Sequence, residues 1–166
     1  MSFDIYFSPC RLGNTPEEFR NPFTGEVQSA LPREPLISRE LKAVRKVLKE
    51  ASAQHPHEGF YSINFSDGGA AEIFGDDLSE GCMVAVRGIT RDLLRFLIDL
   101  LKAANWFMSP VMEESIALTS SPERTPSVPD HYQIIVCDSV EGLGQLLAGG
   151  FLAWKKYRDQ VMGEGS

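Results

Sequence analysis

The chain predicts an α+β fold: a mostly antiparallel sheet of about five to six strands with three helices, in the order β-α-β-β-β-α-β-β-α. Three observations carry this expectation. Short apolar runs alternate with period two near the N-terminus and again between positions 60 and 87. Two longer segments hold helical spacing instead, around 39–53 and 93–104. The second lies within the stretch CMVAVRGITRDLLRFLIDLLKAANWFMS, 82–109, which reads as a strand, a sharp turn and the most apolar helix in the chain.

The first strand places Phe3, Ile5 and Phe7 on one face. A long irregular segment, 11–37, follows, broken by Pro16, Pro22, Pro32 and Pro35, with turn signals at Asn21-Pro22 and Thr24-Gly25. Loops of this length inside a compact domain are uncommon and often functional. Phe19 and Phe23 would either pin it to the core or be offered to a partner. Ser38 reads as the cap of an amphipathic helix whose buried stripe is Leu41, Val44, Val47, Leu48 and Ala51. That helix stops before His55-Pro56-His57, which reads as an exposed loop. Tyr61, Ile63 and Phe65 then alternate with Ser62 and Asn64, Asp67-Gly68-Gly69 supplies a turn, and Ala71 and Ile73 begin the return strand.

An acidic turn, 75–81, leads into the strand 82–87, which completes a three-strand antiparallel meander. Thr90 is the expected N-cap of the central helix, whose polar residues Asp92, Arg95, Asp99 and Lys102 leave one narrow wet stripe. Beyond it, 106–112 and 115–119 look extended, with Pro110 marking an edge or a bulge. The polar, proline-rich run 120–130 reads as a loop, and YQIIVC (132–137) as a buried strand. Asp138 or Ser139 starts a last helix that carries Val140, Leu143, Leu147, Phe151 and Trp154 at helical spacing. Gly149-Gly150 interrupts it, each glycine costing about 1 kcal/mol of helix stability. The expected organisation is one globular domain over 1–162 with a frayed tail, 163–166.

The 166 residues, 43% of them hydrophobic, suit a single domain with a real core. With 23 acidic and 16 basic side chains the formal net charge is −7, which argues against general phosphate-backbone binding and favours a basic protein partner. No apolar run approaches a bilayer-crossing length, and the N-terminus has neither a basic n-region nor a long apolar segment, so the expectation is a cytoplasmic protein with no membrane partner. Cys10, Cys82 and Cys137 are odd in number and fall in or beside apolar strands, as free structural thiols do.

Catalytic and cofactor motifs are weak. The glycines of Glu141-Gly142-Leu143-Gly144 follow a strand and open a helix, but Leu147 holds the third glycine position of a dinucleotide turn. His55 and His57 are spaced to reach one metal, but no second ligand motif accompanies them. His131 and Cys137 would lie roughly 20 Å apart along one strand. Asp76-Asp77 and Glu113-Glu114 are neighbours whose side chains diverge in an extended chain. No catalytic, metal or cofactor-binding residue is therefore assigned. The basic face Lys42, Arg45, Lys46 and Lys49 reads as a solvated helix face diluted by Glu40 and Glu50.

The functional expectation is a non-enzymatic protein-binding module. Its surface would be the acidic meander, with Asp67, Glu72, Asp76, Asp77 and Glu80, together with Phe19 and Phe23 of the long loop. The profile is similar in type to bacterial immunity proteins, which bind and neutralise a partner toxin; no aligned stretch carries that likeness. The alternative is a small-molecule or anion-binding protein, or a weakly marked enzyme, with its pocket under the 11–37 loop. A third reading is a homo-oligomer using the exposed end of the last helix.

Overall fold

The computed structural model describes residues 2–112, 115–123 and 132–164, and of Ser2, 151–155 and 162–164 the backbone alone. Glu113-Glu114, His131, most of the 120–130 run and the side chains of Phe151 and Trp154 lie outside what is described. The fold is α+β. Strand β1 (Ser2–Pro9) is followed by β2 (Glu17–Arg20), β3 (Val27–Ala30), helix α1 (Ser38–Glu50), β4 (Gln54–His57), β5 (Phe60–Asn64) and β6 (Ala70–Phe74). A 3₁₀ turn (Leu78–Glu80), β7 (Cys82–Arg87), α2 (Arg91–Ala103), β8 (Trp106–Pro110), β9 (Ile116–Thr119), β10 (Gln133–Val136) and α3 (Val140–Glu164) complete it.

Eight strands form one sheet in the order β10-β9-β8-β1-β7-β6-β5-β4, antiparallel except for the parallel pair β9 and β10. The hydrophobic core lies against one face of it. Ile5 and Phe7 of β1, Val84 and Val86 of β7, Ile73 of β6 and Ile63 of β5 meet Val44 and Leu48 of α1, the apolar face of α2, and Leu143, Leu146 and Leu147 of α3. Helix α2 buries seven residues, from Leu93 to Leu101, because its apolar positions cover most of its circumference. The Thr90 hydroxyl accepts the Leu93 N–H at its start, as its position before the apolar run requires. Trp106 is fully buried beside Phe7, and its indole N–H donates to the Leu100 carbonyl at 2.9 Å. Gly81 (φ 109°) turns the chain into β7, where any side chain would run into the Phe7 carbonyl.

The structure corrects several expectations. The sheet has eight strands rather than five or six, and the 11–37 segment is not irregular. It folds back on itself as a ribbon: Glu34 N–H donates to Arg11 O, Leu12 bridges Arg33, Gly13 N–H donates to Pro32 O, and β2 pairs with β3. The sequence shows the local turns of this segment, and the structure adds the pairing they close. His55-Pro56-His57 is the edge strand β4 with a bulge, a place where proline is tolerated because one side of the strand makes no ladder. Pro110 ends an interior strand, opposite Ile5. The run 132–137 is no buried strand: of β10 only Ile135 is covered, while Ile134 and Val136 are exposed. Helix α3 breaks at Gly150 (φ 77°) and runs on to Glu164.

At the start of α1 the cap is not Ser38. The helix is closed at Ile37, whose N–H donates to Glu40 Oε1 at 3.1 Å. Glu40 is only 6% exposed. Its second oxygen accepts the Asn105 N–H from the α2–β8 connection. Arg11 Nη1 lies 2.6 Å from Glu40 Oε1, a close ion pair between a half-buried guanidinium and the buried carboxylate. Burial pushes the Glu40 carboxyl upward, but Arg11 and the two backbone N–H groups outweigh it and hold the group below its ordinary 4.5. At its other end α1 closes in a Schellman arrangement: Ala53 N–H donates to Leu48 O and Ser52 N–H to Lys49 O. Ser52 occupies the left-handed position at φ 58°, where glycine is the usual residue.

Two predictions follow from the ends of α1. Glu40→Gln is expected to cost about 1–3 kcal/mol at neutral pH in urea unfolding. Since the folded-state value is lowered, the stability this carboxylate contributes is present above pH 4.5 and lost as pH falls through the folded-state value. Wild-type stability should thus drop more steeply than that of Glu40→Gln below pH 4.5, and parallel profiles would refute the role given to Glu40. Ser52→Gly should stabilise the protein by about 1 kcal/mol, read as a shift of the urea midpoint with unchanged slope.

Candidate functional site

Strands are two-faced, and among the described residues the helices pack on one face of the sheet. The side chains that alternate with the core residues point to the other face: Tyr6 of β1, Met83, Ala85 and Arg87 of β7, Ala70, Glu72 and Phe74 of β6, and Phe60, Ser62 and Asn64 of β5. Register sorts them into rows. Tyr6 lies opposite Met83, Met83 opposite Phe74, Phe74 opposite Phe60, and Phe60 opposite His57. At the usual strand spacing this row spans about 20 Å across five strands. Its rings are in contact: Phe60 and Phe74 are 5.2 Å apart and tilted, and His57 stacks on Phe60 at 5.1 Å. Tyr6 is 48% exposed and Phe74 38%, high values for large side chains in the middle of a sheet.

The next row is Asp4, Ala85, Glu72, Ser62 and Gln54. Arg87 reaches Glu72 at 3.4 Å across the surface. A concavity of about 330 Å³ opens here, lined by Phe60, Ser62, Asn64, Glu72, Ala85 and Arg87 among others. Toward β8 and β9 the same face closes over: Cys10, Phe107 and Ala117 are buried with Tyr132, and the Arg33 guanidinium sits 5.4 Å from the Phe107 ring centre. The exposed row is therefore bounded on one side by a second, smaller apolar cluster.

The residues read from the sequence are dispersed by the fold. Glu72 stands on the exposed face. Asp67 sits at one end of the meander, where the Asp92 N–H (2.9 Å) donates to its carboxylate; that bond, with those from Thr90 and Gly69, holds its pKa below the usual range. Asp77 lies at the opposite end and caps the 3₁₀ turn. The Ser79 hydroxyl at 2.6 Å, then the Ser79 N–H at 2.9 Å, hold its carboxyl low. Asp76 stands beside Gly59, and Glu80 is exposed in the 3₁₀ turn. One strand length separates the two groups, on the order of 15–20 Å, so the acids do not make one continuous patch. Phe19 and Phe23 are not pinned to the core: both are exposed on the ribbon, Phe23 at its tip with 94% of its surface in solvent.

His55 and His57 point to opposite faces, His55 stacking on Tyr61 at 4.2 Å and His57 on Phe60, so they do not converge on one metal. Among the described residues no three His, Cys, Asp or Glu side chains are grouped to hold a metal ion. Among the described residues, surface cavities of about 190 to 360 Å³ are lined by side chains outside 11–37. The glycines opening α3 serve packing, Gly144 lying against the Leu94 side chain, while the Ser139 hydroxyl accepts the Gly142 N–H at the cap. No described helix is long and apolar enough to cross a membrane.

All three cysteines are buried thiols outside any disulfide. Burial pushes the Cys82 thiol up to about 12 and the Cys137 thiol up to about 11, far from the range of a nucleophile at neutral pH. Native protein at pH 8 should therefore react with Ellman's reagent only at the rate of unfolding, and three thiols should titrate at once in denaturant. A fast stoichiometric reaction in the native state would contradict this placement.

The aromatic row was not singled out from the sequence. Its signal was present in the second phase of the strands: Tyr6, Phe74 and Met83 are large and apolar where a half-solvated strand would carry polar side chains. Compared with known proteins, the chain matches no family model, no curated protein and no solved structure.

Proposed function

We propose that the chain is a protein-binding module rather than an enzyme, and that it docks its partner on the helix-free face of the sheet. The observation that supports this most directly is the exposed row Tyr6, Met83, Phe74, Phe60 and His57, in register across five strands. Tyrosine, phenylalanine and methionine are the side chains enriched where protein surfaces meet, since they bury large areas at low entropic cost. A monomer gains nothing from leaving them in water. Asp4 and Glu72 line the row, the one arginine among them is paired to Glu72, and the whole chain carries −7, so the complementary partner is basic. An immunity-type protein that binds and neutralises a toxin inside the cell is the form of this activity that the acidic charge and the lack of a catalytic motif in the sequence favour.

The test is affinity capture from the native lysate with the tagged wild-type chain beside a Tyr6→Ser/Phe74→Ser double variant. Both substitutions lie on exposed positions, and circular dichroism should report an unchanged fold. The wild type should retain a stoichiometric basic protein, and the double variant should bind it at least about tenfold more weakly. Equal binding by the two would move the docking surface off this face. Charge reversal at Asp4 and Glu72 should slow association and flatten its salt dependence.

A further inference from the structure

The ribbon built from 11–34 is the least supported part of the molecule. Every residue of β2 and β3 is exposed, and among the described residues neither strand pairs with anything but the other. Isolated two-stranded ribbons are marginal in water, and an unpaired strand edge is a template for another strand. The edge strand β4 of the main sheet is blunted by Pro56 and its bulge; β2 is free of both within Glu17–Arg20, and the flanking Pro16 and Pro22 confine any added pairing to that stretch.

We infer that two copies of this chain join by antiparallel pairing of β2 with β2, which makes a four-stranded sheet across a two-fold axis. The argument is one of parity and charge. In an antiparallel ladder, hydrogen-bonded pairs alternate with pairs whose backbone groups point outward. Asn21 N–H donates to Glu26 O at the closed end of the ribbon. With Arg20 opposite Val27 and Glu18 opposite Ser29, the alternation leaves the N–H and C=O of Glu18 and Arg20 facing out. A second β2 bonding to those groups in the symmetric register sets Glu18 opposite Arg20 of the other copy, twice, with Phe19 opposite Phe19 on the axis. Both ion pairs fall on one face, and the two exposed phenylalanines meet on the other as a close non-hydrogen-bonded pair. Arg20 Nη1 already donates to the Gly25 carbonyl at 3.2 Å, which orients the guanidinium and leaves its other donors available. The β3 edge, Val-Gln-Ser-Ala, has no charge to set a register. An interface of this size is small, so the dimer is a weak one that forms with rising concentration.

Sedimentation equilibrium of the full chain up to about 1 mM tests this, the range in which small interfaces associate. The wild type should pass from monomer to dimer. Arg20→Glu and Glu18→Arg should each raise the dissociation constant at least about tenfold by setting like charges opposite one another, and the Glu18→Arg/Arg20→Glu swap should restore it. A wild type that stays monomeric throughout, a dimer indifferent to both single variants, or a swap that fails to restore association would each overturn the inference. The Tyr6→Ser/Phe74→Ser variant should dimerise as the wild type does, which separates failure of this contact from failure of the docking face.

Discussion

Eight strands offer two faces, and the chain has enough apolar helix surface for one. Helices α1 and α2 and the first half of α3 fill the layer above Ile5, Phe7, Val84 and Val86, and none of them reaches the other side. This one-sided burial is the constraint from which the rest of the structure follows. Antiparallel sheets tolerate it, since one face can stay solvated if its side chains are polar. Here part of that face is polar and part is not. Beneath β8 and β9 it is closed by Cys10, Phe107, Ala117 and Tyr132. Across β1, β7, β6 and β5 it carries tyrosine, methionine and phenylalanine in open register.

The layer is held to the ribbon by one buried carboxylate. Glu40 sits where three separate connections converge: Arg11 at the exit from β1, Ile37 at the entry to α1, and Asn105 between α2 and β8. The backbone C=O of Asn105 in turn accepts the Cys10 N–H. Removing a charge from water is costly unless its lone pairs are satisfied, and here two backbone N–H groups and a guanidinium satisfy them. The base of the ribbon is fixed in this way, with Arg33 bonded to the Cys10 carbonyl at 3.0 Å on the other strand. Beyond Gly13 and Pro32 nothing described in the domain supports it.

Period and capping made much of this legible before any coordinates. The inward phase of β1, the meander from β5 to β7 and the wet stripe of α2 all follow from local spacing, which tertiary packing here reinforces. Thr90 was readable as a cap because a hydroxyl before an apolar run has one obvious acceptor role. Ser38 misled for the same reason: the orphan N–H at that end is taken by Glu40, whose burial depends on contacts 29 residues upstream and 65 downstream. The ribbon and β4 were missed because pairing is nonlocal. Proline marked both segments as irregular, although one proline ends a ladder and another sits on an edge. The acidic meander looked like one patch in sequence, where Asp67 and Asp77 are ten positions apart, but a strand carries its two ends to opposite rims of the sheet.

The exposed row is also the place where sequence and fold disagree about cost. A strand with a wet face is most economical with serine, threonine or charged residues at every second position, and β5 follows that rule at Ser62 and Asn64. Phe60, Phe74 and Tyr6 break it in register with one another. A single exposed aromatic is ordinary; a line of them in register across neighbouring strands concentrates apolar area in one place. Such a line raises the risk of nonspecific association, and the charged side chains beside it, Asp4 and the pair Glu72 and Arg87, lower that risk by keeping the surroundings of the row solvated. On the ribbon the charges are arranged differently, Glu18 and Arg20 alternating in sign along a single edge, and the proposed self-pairing rests on that alternation. The two exposed surfaces differ in their charge pattern: Asp4 stands beside one with Glu72 paired to Arg87, and Glu18 and Arg20 alternate in sign along the other.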